Sequence, residues 1–555
     1  MRGGSDATPP RTLCAGRLAM AVCLLLPGTG AFPSAQADDD LAIDAGRELY
    51  RDGRLASGEH VRGFVRGDIP VSGGQLACIG CHRRSGLGSS EGSALAPPVT
   101  GAALYRARET RREQHQVRSG SPAMRPAYTD ATLRRALRDG IGADGRPLDP
   151  LMPRYVLDDA HIDALIAYLK TLGAAPAPGV DAGSLHLATA VTPGVKAEAR
   201  DSMLQVLRAF FQDRNAHTRN EPGRAARAPW HLDWKFEAYR EIRLHVWEID
   251  GPPATWAAQL ERAYAARPVF AMVGGIGAGD WRPVHEFCET HELPCLFPNT
   301  ALPAIVPGDF YSVYFSAGMT LEGRVAARFL AERGWDEGPV LQLVDDDPAG
   351  AAAAAALRTA LPSPPDDVPL SALTGHPGGD AWQALRRQYR PRVVVAWAPA
   401  AAIQPLLTAI AAHPDAAPVV LLSAALAGQP APPSALGGRV FAIHPTALPG
   451  EPARGEARIR AWMNRRDIHP ADPAIAMNAY FAATVTAGAV RMLVGNFSRE
   501  YLIERVEHAA ENALTSGAFP RLSLGPDQRF ASKGAYVVPL DERGAEAAHA
   551  EWIVP

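Results

Sequence analysis

Residues 78 to 82 read Cys-Ile-Gly-Cys-His. Two thiols two residues apart, with an imidazole directly behind them, suit three chemistries: a zinc site, a dithiol redox centre, or covalent attachment of a haem. A structural zinc needs four ligands, and no second Cys/His pair stands at suitable spacing. A dithiol centre wants a strand running into a helix, whereas glycines flank this stretch. Haem attachment makes the narrower demand: both thiols must reach the vinyl groups on one porphyrin edge, and the next residue must turn its imidazole onto the iron. A short helical turn with this spacing does all three, so the motif is read as c-type haem attachment.

The second axial ligand is sought downstream, where residues 138 to 173 read RDGIGADGRPLDPLMPRYVLDDAHIDALIAYLKTLG. Met152 stands between Leu151 and Pro153, in a loop just ahead of a well-marked helix. Asp158 or Asp159 can cap that helix, Ile162, Leu165, Ile166 and Leu169 form its apolar stripe, and Gly173 ends it. A lone methionine in an apolar stretch is commonly core packing, but a Pro-flanked loop at this place favours Met152 as ligand over Met124 in SPAMRPAY.

On these residues the segment from about 41 to 173 resembles a class I cytochrome c domain, an all-α fold. AGRELYRDG is similar to that family's first helix, CIGCH to its haem site, GRPLDPLMPRY to its methionine loop, and DDAHIDALIAYLKTL to the C-terminal helix that crosses the first. The resemblance implies one covalent haem c, with Cys78 and Cys81 as thioether anchors, His82 as proximal and Met152 as distal ligand. Such ligation fills both axial positions, which implies one-electron transfer rather than turnover. Between Arg83 and Arg138 stand eleven arginines against four acidic residues, which either form a basic rim that steers an acidic redox partner or neutralise the haem propionates with the rest solvated.

Compartment agrees with a haem attached outside the cytoplasm. Arginines 11 and 17 precede the apolar run LAMAVCLLLPGTGAF, then SAQA and an acidic DDD. This pattern predicts a signal peptide over residues 1–37, which would remove Cys14 and Cys23. No other apolar run is read as reaching the roughly 20 residues that cross a bilayer, so the expectation is an exported, soluble periplasmic protein. The net charge of −3 argues against a nucleic-acid binder. At 555 residues the chain is too long for one core.

Domain boundaries follow: a cytochrome domain over residues 38–172, a Pro/Ala/Gly-rich linker over 173–183, and a second domain over 184–555. In the last, strand candidates (SLHLATAV, EIRLHVWEID, VFAMVGG, PVLQLVDDD, RVVVAWAP) alternate with helices, the rhythm of parallel sheets covered by helices. Cys288 and Cys295 run from a helix end to the next strand start, a placement read as a disulfide across that turn.

The order and spacing of these elements resemble the type I periplasmic binding protein fold, as in branched-chain amino acid receptors. That resemblance implies two α/β lobes closing over a small ligand held at strand C-termini. It suggests Gly277, Ala278 and Gly279 after the third strand, Asn299 and Thr300 after the fourth, and Tyr480 on a late helix as ligand contacts. Such receptors place serine or threonine hydroxyls after the third strand, where this chain has Gly, Ala and Asp280. An ordinary amino acid is therefore a poor candidate.

The combined expectation is a periplasmic electron carrier, not an enzyme, that takes electrons from a dehydrogenase or another cytochrome and carries a small-molecule domain. The alternative is a solute receptor of ABC-transporter type, serving a permease, with haem as redox sensor or structural element. Haem catalysis would require that Met152 not bind iron.

Overall fold

The computed structural model describes residues 35–91, 94–109, 124–218, 240–373, 380–428, 430–448, 455–511, 518–525, 528–545 and 549–555. The expected signal peptide thus lies outside the described residues, except for the start of α1 (Ala35–Asp52), which runs unbroken through Ala37.

The N-terminal domain is built on a crossing of α1 with a C-terminal helix (Asp159–Thr171). The crossing is close because residue 46 is glycine: a Cβ there would collide with the Ala164 carbonyl oxygen and lie 2.9 Å from Tyr168 Cβ. Tyr50 and Tyr168 pack beside it, ring centroids 5.4 Å apart. Asp158 caps the second helix by accepting from His161 N (2.9 Å), and Ile162, Leu165, Ile166 and Leu169 are all buried, as the periodicity predicts.

The domain is not purely helical, which corrects the all-α expectation. Strands β1 (Arg62–Val65), β2 (Ile69–Ser72) and β3 (Arg154–Val156) form an antiparallel sheet with β1 in the middle. Its strands are three or four residues long and broken by glycine and proline, too short to leave a readable alternation.

The linker is not free either. Ala177 N donates to the Phe497 carbonyl (3.4 Å), Val180 bridges to Leu185, and Gly179 lies against the Val269–Phe270 backbone. This Pro/Ala/Gly segment is laid along the domain that follows.

That domain has two lobes, each around a sheet of eight strands among the described residues. In the first, β4 (Ser184–Val191) pairs in parallel with β5 (Glu241–Glu248), β6 (Ala271–Val273) and β7 (Ile276–Gly277). Beyond β6 come β8 (Cys295–Leu296), β10 (Ser312–Ser316) and β16 (Phe530–Ser532), while β9 (Asn299–Thr300) pairs with β7. Every residue of β4 is buried, as expected for a strand covered on both faces. The second sheet runs β12 (Asp366–Pro369), β11 (Val340–Val344), β13 (Val393–Trp397), β14 (Val419–Ser423), β15 (Val440–His444) and β17 (Ala535–Asp541). The chain passes between lobes at residues 316–318, after His444, and again between Ser532 and Ala535.

A helix over Pro473–Met492 is long and apolar enough to cross a bilayer, contrary to the sequence reading that no second run reaches that length. It packs instead in the first lobe, its buried residues including Ala476, Phe481, Val485 and Val490.

Candidate functional site

The CIGCH stretch forms a single helical turn, Ile79–His82, with His82 N donating to Cys78 O (2.8 Å). His82 is 6% exposed, and its Nδ1 donates to the Pro97 carbonyl (2.8 Å). A carbonyl can only accept, so the tautomer is fixed and Nε2 is the nitrogen left with its lone pair for a metal. Burial lowers the His82 pKa, keeping the imidazole neutral. Burial also pushes the Cys78 thiol up to about 11, which is the wrong direction for a thiolate redox centre.

The methionine loop is fastened to this turn. Tyr155, three residues past Met152, donates its hydroxyl to the Leu76 carbonyl (3.0 Å) and lies 3.6 Å from Cys78 Sγ. Met152 is half-buried against the same apolar core that holds Cys78 and Tyr155. Met124 is 55% exposed on a surface strand. The residues therefore fit a haem: two cysteines on one turn, a tautomer-fixed histidine, and a half-buried methionine whose loop is tied to the turn.

The arginine-rich segment is less free than its composition suggests. Arg125 is bound to the backbone carbonyls of Ala103, Leu104 and Pro126, while Arg134 pairs with Asp163 and Arg138 with Asp159. Arg84 leaves the haem domain altogether, its guanidinium 4.3 Å from the ring centre of Phe310 in the first lobe. Arginines 111, 112 and 118 lie outside the described residues.

The two domains meet immediately beyond His82. Ser85 N and Oγ donate to the two carboxylate oxygens of Glu504 at 2.8 and 2.6 Å. Arg51 pairs with Glu292 (3.4 Å) on a second side of the contact. Glu504 lies on the helix Arg499–Glu511, which packs against Pro473–Met492.

That last helix reaches a cleft of about 300 Å³ at the C-terminal ends of β7, β9 and β10. Gly277, Asn299 and Thr300 line it, three of the six expected contacts. Asn299 Oδ1 accepts from Asn478 Nδ2 (3.0 Å), and Asn478 Oδ1 accepts from Ala518 N (3.1 Å).

The other three expected contacts stand elsewhere. Tyr480 packs edge-on against Phe210 (centroids 5.4 Å) and against Trp462 (5.0 Å) in the core. Asn478 and Ile475, three residues apart, share the face that opens on the cleft, while position 480 is turned roughly 200° from 478. Ala278 and Gly279 are absent from the lining, and Asp280 serves the following helix by accepting from Arg282 N (2.9 Å). The glycines of this loop answer a packing demand. Gly274 and Gly275 have φ of +62° and +99°, and a Cβ at Gly277 would lie 2.7 Å from the Trp281 ring.

Sequence reasoning missed Phe315, Ser316 and Phe519, which also line the cleft. Cys288 and Cys295 are unlinked buried thiols, which corrects the expected disulfide. The two thiols are nonetheless neighbours that share a hydrogen bond, and Cys288 Sγ also lies 3.5 Å from Met272 Sδ, inside the apolar layer beneath the sheet.

A two-lobed parallel-sheet domain with a cleft at its strand ends defines a binding protein, here carrying a haem-attachment domain at its N-terminal side. A family profile described as periplasmic binding protein matches residues 194–545, and the chain belongs to that family. A second profile, cytochrome c, matches residues 74–173, and this N-terminal segment thereby implies covalently bound haem c. No curated protein matches the chain. Among solved structures, a fatty acid ABC transporter substrate-binding protein from Thermomonospora curvata is 15% identical, with TM-score 0.45, over 68% of this chain and 94% of that one. A putative branched-chain amino acid ABC transporter protein from Rhodospirillum rubrum is 17% identical, with TM-score 0.46, over 67% and 100%.

Proposed function

We propose that the protein is a periplasmic electron carrier with one haem c, whose binding domain takes a small molecule and holds the haem domain in a fixed seat. It takes single electrons from a periplasmic dehydrogenase or another cytochrome and performs no turnover of its own. The observation that carries this reading is the tie from Tyr155 to Leu76 and Cys78, which fastens the Met152 loop beside the His82 turn. Cys78, Cys81, His82 and Met152 would hold the haem, which would supply a one-electron couple. The chain's own contribution is to fix the His82 tautomer through Pro97 and to keep the surroundings apolar. These features hold the His82 ring in one orientation and keep water from its surroundings.

A second reading, a solute receptor of ABC-transporter type that serves a permease and uses haem as sensor, has the formed cleft in its favour. Oxidised and reduced absorption spectra of the exported protein separate the two. A low-spin spectrum that keeps its methionine-to-iron band and does not move with cleft ligands supports the carrier. Loss of that band on ligand binding supports the sensor, and a high-spin spectrum without ligand sinks both in favour of catalysis.

A further inference from the structure

Taken as the small-molecule site of the proposed function, the reading on which its ligand class rests, the cleft has a chemical character that narrows what it binds. Among the described residues that line it there is no lysine, arginine, aspartate or glutamate. An amino acid seated there would bring two charges into a half-enclosed, largely apolar space with no counter-charge, which is unfavourable unless each is paired.

The polar groups also have a definite sense. Both asparagine side-chain oxygens already accept within the protein, Asn299 from Asn478 and Asn478 from Ala518 N. Thr300 Oγ1 accepts from Leu302 N (3.1 Å) and Ser316 Oγ from Gly318 N (3.1 Å). With one lone pair of each oxygen engaged, each hydroxyl keeps its proton to donate, and each asparagine, with one amide N–H given to Gly275 O or Asn299 Oδ1, keeps a second. The cleft thus offers donors and asks its ligand for an acceptor oxygen.

Its wall is flat and aromatic. Phe519 stacks on Phe315 with centroids 5.1 Å apart and planes 9° from parallel. Phe315 is buried at 4% exposure, whereas Phe519 is half-buried and borders the open space. Ile276, Ile475 and Pro298 supply apolar surface around it. A planar ring laid on Phe519 would extend the stack and gain by burial of both faces. A volume of about 300 Å³ admits a single substituted ring.

From these features we infer that the cleft takes an uncharged one-ring aromatic molecule bearing a hydroxyl or carbonyl oxygen, an aromatic alcohol or aldehyde, rather than an amino acid or a carboxylate. Calorimetric titration of the full-length haem-loaded protein with benzyl alcohol, benzaldehyde, benzoate and leucine tests this. The expected result is one-to-one binding of the first two. Phe519→Ala should weaken it tenfold or more and Ser316→Ala about fivefold, with no heat from leucine or benzoate. Leucine or benzoate binding as tightly, and losing affinity in Phe519→Ala, would keep the site but overturn the ligand class. Alcohol or aldehyde binding that both substitutions leave unchanged would overturn the site itself, and absence of binding by all four probes would overturn both. Ser316→Ala and Thr300→Val, which remove a hydroxyl together with its turn hydrogen bond to Gly318 N or Leu302 N, stand in should Phe519→Ala fail to fold.

Discussion

Ser85 and Glu504, 419 positions apart, meet through two hydrogen bonds at the seam between the haem domain and the first lobe. Ser85 is the third residue after His82, and both partners are buried. The Glu504 carboxyl is pushed up to about 7 by burial, with Glu507 and Glu500 adding to the effect and the Ser85 bonds opposing it. If the domains part, Glu504 returns to water and toward its ordinary 4.5. Its folded, docked pKa is therefore the raised one, and the seam is strongest below pH 4.5. It loses on the order of 3 kcal/mol as pH climbs from there through 7.

Docking should accordingly loosen between pH 4.5 and about 7 and change little above that, seen as a growing radius of gyration in small-angle scattering. Glu504→Gln keeps one acceptor and one donor for Ser85 and should flatten that dependence. Scattering curves that change with pH identically in wild type and Glu504→Gln would show that another group governs the seam.

How much of this was legible in the sequence depends on whether the demand was local. CIGCH and the GRPLDPLMPRY loop stood out in the sequence because the demands of attaching and ligating a haem fall on residues within one turn or one short loop, and the first of these does form a single turn, Ile79–His82. The strand Ser184–Val191 was readable because eight consecutive buried positions leave a short run, SLHLATAV, rich in apolar residues and without lysine, arginine or acidic residues. The seam was not readable, since nothing near Ser85 points to position 504. The cleft was half readable. Asn299 and Thr300 follow their strand, but the helix Pro473–Met492 is apolar on nearly every side. With no polar face to set its phase, Tyr480 was chosen where Asn478 and Ile475 point into the cleft. Phe519 joins the site from a loop far along the chain, and no periodicity marks it.

Met152 and Met124 give a sharper test of the iron's second ligand. Met152→Ala should abolish the methionine-to-iron absorption band, whereas Met124→Ala, on the surface, should leave the spectrum as it is. Tyr155→Phe removes the hydroxyl that reaches Leu76 O and should cost about 1–2 kcal/mol in the haem domain's unfolding. Retention of the band in Met152→Ala would overturn the assignment.

The helix crossing of the haem domain depends on one absent side chain. Gly46→Ala places a methyl against the Ala164 carbonyl and Tyr168, so the two helices must separate. The expected loss is about 2–3 kcal/mol, in the range found for overpacked cores, and it should appear in urea unfolding followed at the haem band. An unchanged midpoint would mean that the crossing is loose enough to accept a methyl.

Glu322 sets a pH limit on the second lobe. It lies on the helix Gly318–Glu332, 2% exposed, with its Oε2 lacking a partner among the described residues and a side-chain hydrogen bond to Ser423. Burial raises its pKa from 4.5 to about 8, against the lowering effect of Ser423. The unfolded chain therefore releases this proton above pH 4.5 while the folded lobe keeps it. Stability falls from there until pH passes about 8, by on the order of 4 kcal/mol in all. Glu322→Gln cannot ionise and should remove most of that slope. Urea unfolding at about pH 5 and about pH 8.5, with pulse-labelled hydrogen exchange of the strand Val419–Ser423 as readout, isolates this lobe from the seam at Glu504. The wild-type midpoint should drop steeply between the two conditions and that of Glu322→Gln much less. Equal drops would place the titrating group elsewhere, and a flat wild type would mean that water or a neighbour stabilises the ionised carboxylate in place.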